Sequence, residues 1–297
     1  MMTFAALQSA PAATAQEIAD GRGYMAAVAL LATGVVALIF ARRLSTRFEA
    51  WGMPIALGIL ILGVWDGAVV MSRSTIFPRP IEVWGAMLEL VRSGRVWGDI
   101  AASLFRVTWG YLLAAAIAIP TGLVMGWYTR TFLALNPIVQ GLRPISPIAW
   151  IPIAILWFGI GDGAGVFLIL ISSFFPICVG TTAAVRNISL VHQRSAMNFG
   201  VRGLDLFRKV ILPAALPQIM TSMRLALGVA WLVIVAAEMV GMESGLGYLI
   251  NDARNMGSRY DLVVATMIVI GLIGIVLDFL IRRLEHFDEV RWGYVKQ

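Results

Sequence analysis

Long apolar runs separated by short polar stretches organise this chain, and their length decides what they are. Seven runs, near residues 23–41, 54–71, 105–127, 133–158, 164–185, 213–240 and 262–281, stand out in the sequence. Each matches the roughly 20 residues that an α-helix needs to cross a hydrocarbon layer about 30 Å thick. None alternates apolar and polar residues over shorter stretches, as a membrane β-barrel strand would. The prediction is therefore an all-α integral membrane protein. Between the runs lie a basic link around Arg42, Arg43 and Arg47, a long loop from Ser72 to Leu104, and a polar segment from Arg186 to Leu212. Within the long loop, Ile81, Val83, Trp84, Met87, Leu88 and Val91 recur at near-helical spacing, which predicts an amphipathic helix packed on the protein or lying on the membrane.

Composition agrees. Of 297 residues, 59% are hydrophobic and 13% charged, with mean hydropathy +0.83; a water-soluble domain carries roughly twice that charged fraction. The net charge of +6 does not form a separate basic domain, so nucleic acid is not implied as a partner. Instead the basic residues sit at helix ends and set an orientation. With the 186–212 segment placed in the cytoplasm and the spans alternating, thirteen Lys and Arg fall on the cytoplasmic side and seven on the other, with Arg106, Arg143 and Arg224 inside spans. That bias follows the positive-inside rule and puts the C-terminal tail, 286–297, in the cytoplasm. Residues 1–22 lack a basic flank before their first apolar stretch, so they read as a polar extension and not as a cleavable signal.

Chemistry is sparse. The single cysteine, Cys178, sits in an apolar run and reads as a small buried hydrophobe. His192 and His286 lack metal-ligand spacing, and neither a phosphate-binding glycine loop, an HExxH helix nor a nucleophile elbow is present. No catalytic residue, bound cofactor or metal is expected on this chain. Inside the spans, Arg143 and Arg224 are candidates to line a pathway for an anion, together with Ser146 and Trp150; guanidinium groups tied to backbone carbonyls freed by nearby prolines are the favoured structural reading of the two arginines. Glu238, Asp66 and Asp278 could serve a proton or cation path, although pairing with an internal arginine or helix capping is the commoner role. Gly122 and Gly126 form a small-residue pair suited to close helix contact.

The most informative stretch is RNISLVHQRSAMNFGVRGLDLFRKVILPAALP, residues 186–217. Asn187 or Ser189 can cap a short helix ending near Phe199, and Gly200 supplies a left-handed stop. A second short helix then places Leu204, Phe207 and Ile211 on one face, and Pro213 opens the next span. This stretch resembles the hallmark loop of the inner-membrane permeases of binding-protein-dependent ABC importers. Their loop reads Glu-Ala-Ala, three residues, Gly, nine residues, then Ile-x-Leu-Pro; here Ala196, Gly200, Val210, Leu212 and Pro213 fall at matching spacing, while Arg194 stands where the family has Glu and Ser195 where it has Ala. LRPISPIAWIPIAILWFGIG (142–161), SMRLALGVAWLVIVAAEM (222–239) and GLGYLINDARN (245–255) look most like the nitrate, sulfonate, bicarbonate and taurine branch.

The resemblance covers residues 54–285 and implies a six-helix permease core, with 23–41 as an extra N-terminal transmembrane helix. It implies that 189–200 is a coupling helix, with Arg194, Ser195, Ala196, Met197, Asn198, Phe199 and Gly200 at the contact with a cytoplasmic ATPase. It further implies a bacterial inner-membrane location and an assembly with two ATPase subunits, which carry the ATP and magnesium, a second permease copy and a periplasmic substrate-binding protein. The cargo would be a small anion: nitrate, bicarbonate, taurine or another sulfonate. The competing expectation is an ion-coupled secondary carrier that uses the intramembrane carboxylates.

Overall fold

The computed structural model describes residues 46–72 and 76–285. The expected extension 1–22, the extra span 23–41 and the tail 286–297 lie outside the described residues. The chain divides into two compact units, Met1–Leu88 and Glu89–Gln297. In the first, α1 (Thr46–Ser72) contains the apolar stretch Pro54–Ser72, long enough to span. Its carboxylate Asp66 receives two hydrogen bonds from the Arg79 guanidinium, at 2.9 and 3.0 Å. The boundary between the units falls inside α2 (Pro80–Ser93), the amphipathic helix read from the loop pattern. Its apolar residues occupy two faces: Val83, Ala86 and Leu90 are buried, whereas Ile81, Trp84, Leu88 and Val91 are exposed.

The second unit carries the remaining elements: α3 (Arg95–Trp127), α4 (Thr129–Leu142), a 3-10 turn at Pro147–Trp150 leading into α5 (Ile151–Phe158), α6 (Asp162–Arg186), α7 (Leu190–Asn198), α8 (Gly203–Leu206), α9 (Leu212–Gly241), α10 (Leu246–Asn255) and α11 (Tyr260–Glu285). Among the described residues, five helices are long and apolar enough to cross a membrane, and a bent pair makes a sixth if counted as one span.

α6 lies at the centre, packed along α3 on one side and α9 on the other. The α3–α6 seam is close because glycines open it. A Cβ built on Gly122 would stand 2.7 Å from the Cys178 carbonyl oxygen, and one on Gly126 would stand 2.5 Å from Val185 Cβ. The Thr182 hydroxyl then reaches the Gly122 carbonyl at 3.3 Å. Two longer ties hold α9: Tyr111 of α3 donates to the Met223 carbonyl at 2.8 Å, and Trp231 donates to the Ile270 carbonyl of α11 at 3.2 Å. Cys178 is fully buried in this seam.

Three expectations need correction. The run 133–158 is not a continuous helix: Thr129–Leu142 and Pro147–Phe158 meet at 84°, as a broken span or a re-entrant loop. Pro144 and Pro147 lack the N–H that would continue the helical ladder, and each disfavours helical geometry in the residue before it. The run beginning at 105 starts ten residues earlier, at Arg95, because its polar residues are paired internally. Finally, Pro213 does not open a new span after a separate helix. α8 passes through a π-helical turn, Phe207–Ile211, into α9, so Gly203–Gly241 runs as one helical segment.

Candidate functional site

α7 projects from the end of the bundle where α3 and α6 terminate, and local chemistry fixes both of its ends. Ser189 is the N-cap, its hydroxyl accepting from the Val191 N–H at 3.2 Å. At the other end Gly200 adopts φ +85°, and two hydrogen bonds close the helix: Gly200 N–H to the Met197 carbonyl at 3.0 Å, and Val201 N–H to the Ala196 carbonyl at 3.1 Å. This is a Schellman closure, which a Cβ at Gly200 would strain by about 1–2 kcal/mol.

The underside of this projection is anchored. Leu206, Ile211, Ala215 and Ile219 form a buried cluster with Ala184 and Val185 of α6, and Ile188, Ala196 and Val201 pack against it. Phe207 meets Trp127 of α3 edge-on, with ring centroids 5.3 Å apart. The outer side is apolar and uncovered: Leu190, Val191 and Met197 are exposed, and Phe199 is 88% exposed. Of the residues expected at a partner contact, Arg194, Ser195, Met197, Asn198, Phe199 and Gly200 face outward, whereas Ala196 faces the bundle. Leu204 does not share a face with Phe207 and Ile211. It is exposed, and Leu206 is buried in its place. The π turn holds one residue more per turn than the assumed periodicity, which shifts the register of what precedes it.

The expected pathway residues separate. Arg143, Ser146 and Trp150 lie at the 84° break, where residues 141–146 are all exposed. Among the described residues the Arg143 side chain makes no hydrogen bond, so the expected tie to freed carbonyls is absent there. Arg224 is on α9 and pairs with Asp278 of α11 at 3.9 Å. Asp278 also accepts from Arg282 at 2.7 Å.

At the opposite end of the bundle from α7, Glu238 pairs with an internal arginine as expected, within a buried polar network whose other members the sequence does not name. The Arg106 guanidinium, 2% exposed, donates to Asp162 at 2.7 Å, to Glu238 at 2.8 Å, and to the carbonyl and hydroxyl of Ser244 at 2.7 and 2.6 Å. Glu238 additionally accepts from the Ser103 hydroxyl and from the Gly247 N–H at 2.9 Å. Ser103 accepts from the Leu246 N–H, Asp99 accepts from the Gly245 N–H, and Arg95 bridges Asp99 to Asp252. Gly245 holds φ +111° over the Glu238 carboxylate, where a side chain would collide. The network therefore ties α3, α6, α9 and α10 into one block. In the sequence the signals are that Arg106 and Glu238 are charged within apolar runs, and that such a carboxylate favours an internal arginine as its partner.

Comparison with known proteins completes the picture. The family profile described as binding-protein-dependent transport system inner membrane component matches residues 118–287. A protein of Methanocaldococcus jannaschii named as an ABC transporter permease is 38% identical over 239 residues, spanning 78% of this chain and 89% of its own. The nitrate import permease of Leptolyngbya laminosa is 37% identical over 239 residues, 77% of this chain and 85% of its own. The taurine transport system permease of Escherichia coli is 30% identical over 265 residues, 84% and 96%. Among solved structures, inward facing conformations of a methionine ABC transporter share the fold, with TM-score 0.57 at 19% identity over 71% of this chain and 99% of that one.

Proposed function

This chain belongs to the inner membrane components of binding-protein-dependent transport systems, and on that premise we propose that it forms half of the pore of an importer for a small oxyanion or sulfonate. It is a multi-pass membrane permease and not itself an enzyme; ATP hydrolysis belongs to a separate ATPase, and a substrate-binding protein supplies the cargo. The proposal adds the finer points. Two copies of this chain line one pathway, two ATPase subunits carry ATP and magnesium, and the membrane is the bacterial inner membrane with α7 and the C-terminus in the cytoplasm. The sign of the basic-residue bias supports that orientation. The names of the nitrate and taurine relatives support the cargo class.

One observation carries the coupling role: α7 is rigidly closed at both ends, seated on the span core from below and apolar above. An ATPase that grips its outer face moves the bundle, because the cluster around Ile211 and Val185 passes the displacement to α6 and α9. At the far end the Arg106 network keeps α3, α6 and α9 together, so the force moves a block and does not shear it. The 84° break between Leu142 and Pro147 passes through residues 143–146, which are all exposed, and the block can swing there relative to α4.

The carrier reading loses its main support. Glu238, Asp66 and Asp278 are each paired with an arginine, leaving none of them as an isolated coupling carboxylate. Gly200→Val tests the proposal: uptake of taurine or nitrate into cells carrying the cognate binding protein should fall at least tenfold while membrane insertion is retained. Normal uptake by a stably inserted variant overturns the coupling role.

A further inference from the structure

The C-terminal end of α6 opens onto a recess that none of the preceding roles uses. It has a volume of about 320 Å³, within the roughly 300–1,000 Å³ range of small-molecule sites. One face of α4 supplies Phe132, Asn136 and Gln140, spaced four residues apart, and the end of α6 supplies Thr182, Arg186 and Asn187. The lining contains a single cation and no carboxylate. The Arg186 guanidinium lies over the Phe132 ring, 4.0 Å from its centroid. Among the described residues it makes no ion pair or hydrogen bond, and the side-chain amides of Asn136, Gln140 and Asn187 make none either.

A helix C-terminus favours a cation through its dipole, which accounts for a basic residue here. It does not account for three side-chain amides that line the same recess and make no hydrogen bond within the described residues. An arginine placed over an aromatic ring, with no partner for its N–H groups among the described residues, keeps those donors available for a bidentate acceptor. A second recess, about 340 Å³, shares Arg186 and is bordered by Gln193 of α7 and by Ile211. We infer that the recess between α4 and α6 binds a small tetrahedral oxyanion, a sulfate, sulfonate or phosphate group, with Arg186 as the charged ligand and Asn136, Gln140 and Asn187 as neutral donors. The anion arrives free from solution or as a phospholipid headgroup. Arg186 also lines the second recess together with Gln193 of α7, so an anion that fixes Arg186 acts at the base of that helix.

This site is read by binding and the cargo by uptake, so failure of one leaves the other standing. The test uses the full chain in nanodiscs of neutral phosphatidylcholine, with radiolabelled sulfate in equilibrium binding. Saturable binding is expected, weakened at least tenfold in Arg186→Gln, less in Arg186→Lys, and unchanged in Arg130→Gln, a nearby arginine outside the recess. The surface double variant Asn136→Leu, Gln140→Leu serves if Arg186→Gln does not fold, and it should weaken binding likewise. In a parallel arm, mass spectrometry quantifies phosphatidylglycerol retained from the membrane. Retention by the wild type and loss in Arg186→Gln identifies a headgroup as the occupant. Sulfate binding equal in all variants, or neither sulfate bound nor lipid selectively retained, overturns the site.

Discussion

Arg106 and Glu238 are separated by 132 positions yet meet at 2.8 Å with both side chains almost fully buried. A charge in that setting is held by its partner, and removing one partner costs about 3–5 kcal/mol, because the other is left uncompensated in a low-dielectric interior. Glu238→Ala should therefore lower the thermal unfolding midpoint of the detergent-solubilised chain sharply. The pair Arg106→Met, Glu238→Leu should recover part of that loss, since a well-packed apolar replacement avoids desolvating two ions. Equal melting of Glu238→Ala and wild type would mean that the network does not hold the bundle. Reading the sequence could flag each residue as costly within an apolar run, and it could favour pairing over ion transport for Glu238. It could not name the partner, because nothing local links positions 99, 103, 106, 162, 238 and 244. The start of α3 is hidden in the sequence for the same reason: Arg95 and Asp99 look like loop residues, and only the fold supplies Asp252 and the Gly245 N–H as their partners.

At the scale of elements, the legible features were those that a single residue type enforces locally. Ser189 and Gly200 bound α7 as expected, since a hydroxyl cap and a left-handed stop need no distant partner. Gly122 and Gly126 were legible as a contact pair for a similar reason, and the structure shows what they contact. Gly126→Leu would drive its side chain into Val185 and should destabilise the α3–α6 seam by about 1–3 kcal/mol. A reduced yield of folded protein by size-exclusion chromatography would register this, and an unchanged unfolding midpoint would refute it. The π turn at Phe207–Ile211 was not legible, because counting at 3.6 residues per turn assumes the register that this turn breaks. The 84° break fell between: Pro144 and Pro147 announce an interruption, but proline spacing alone does not set its angle.

For the whole molecule, the all-helical membrane architecture followed from length and hydropathy, and the family from the spacing around Gly200. The mechanical division of labour did not. It depends on α7 being anchored to α6 and α9 at one end of the bundle while polar pairs clamp α3, α6, α9 and α10 at the other. Under the proposed coupling role the bundle acts as a lever whose handle is the apolar outer face of α7, where Phe199 is the most exposed apolar residue. Cys178 is the only cysteine and is fully buried, so a probe thiol can be introduced after replacing it with alanine. The decisive measurement is disulfide cross-linking of Phe199→Cys, in that background, to a cysteine in the groove of the co-expressed ATPase. A cross-link that forms in intact membranes, and whose rate changes when ATP binds, is what the lever account predicts. Labelling of the same thiol by a membrane-impermeant maleimide added to the outside of whole cells, with no cross-link to the ATPase, would contradict it.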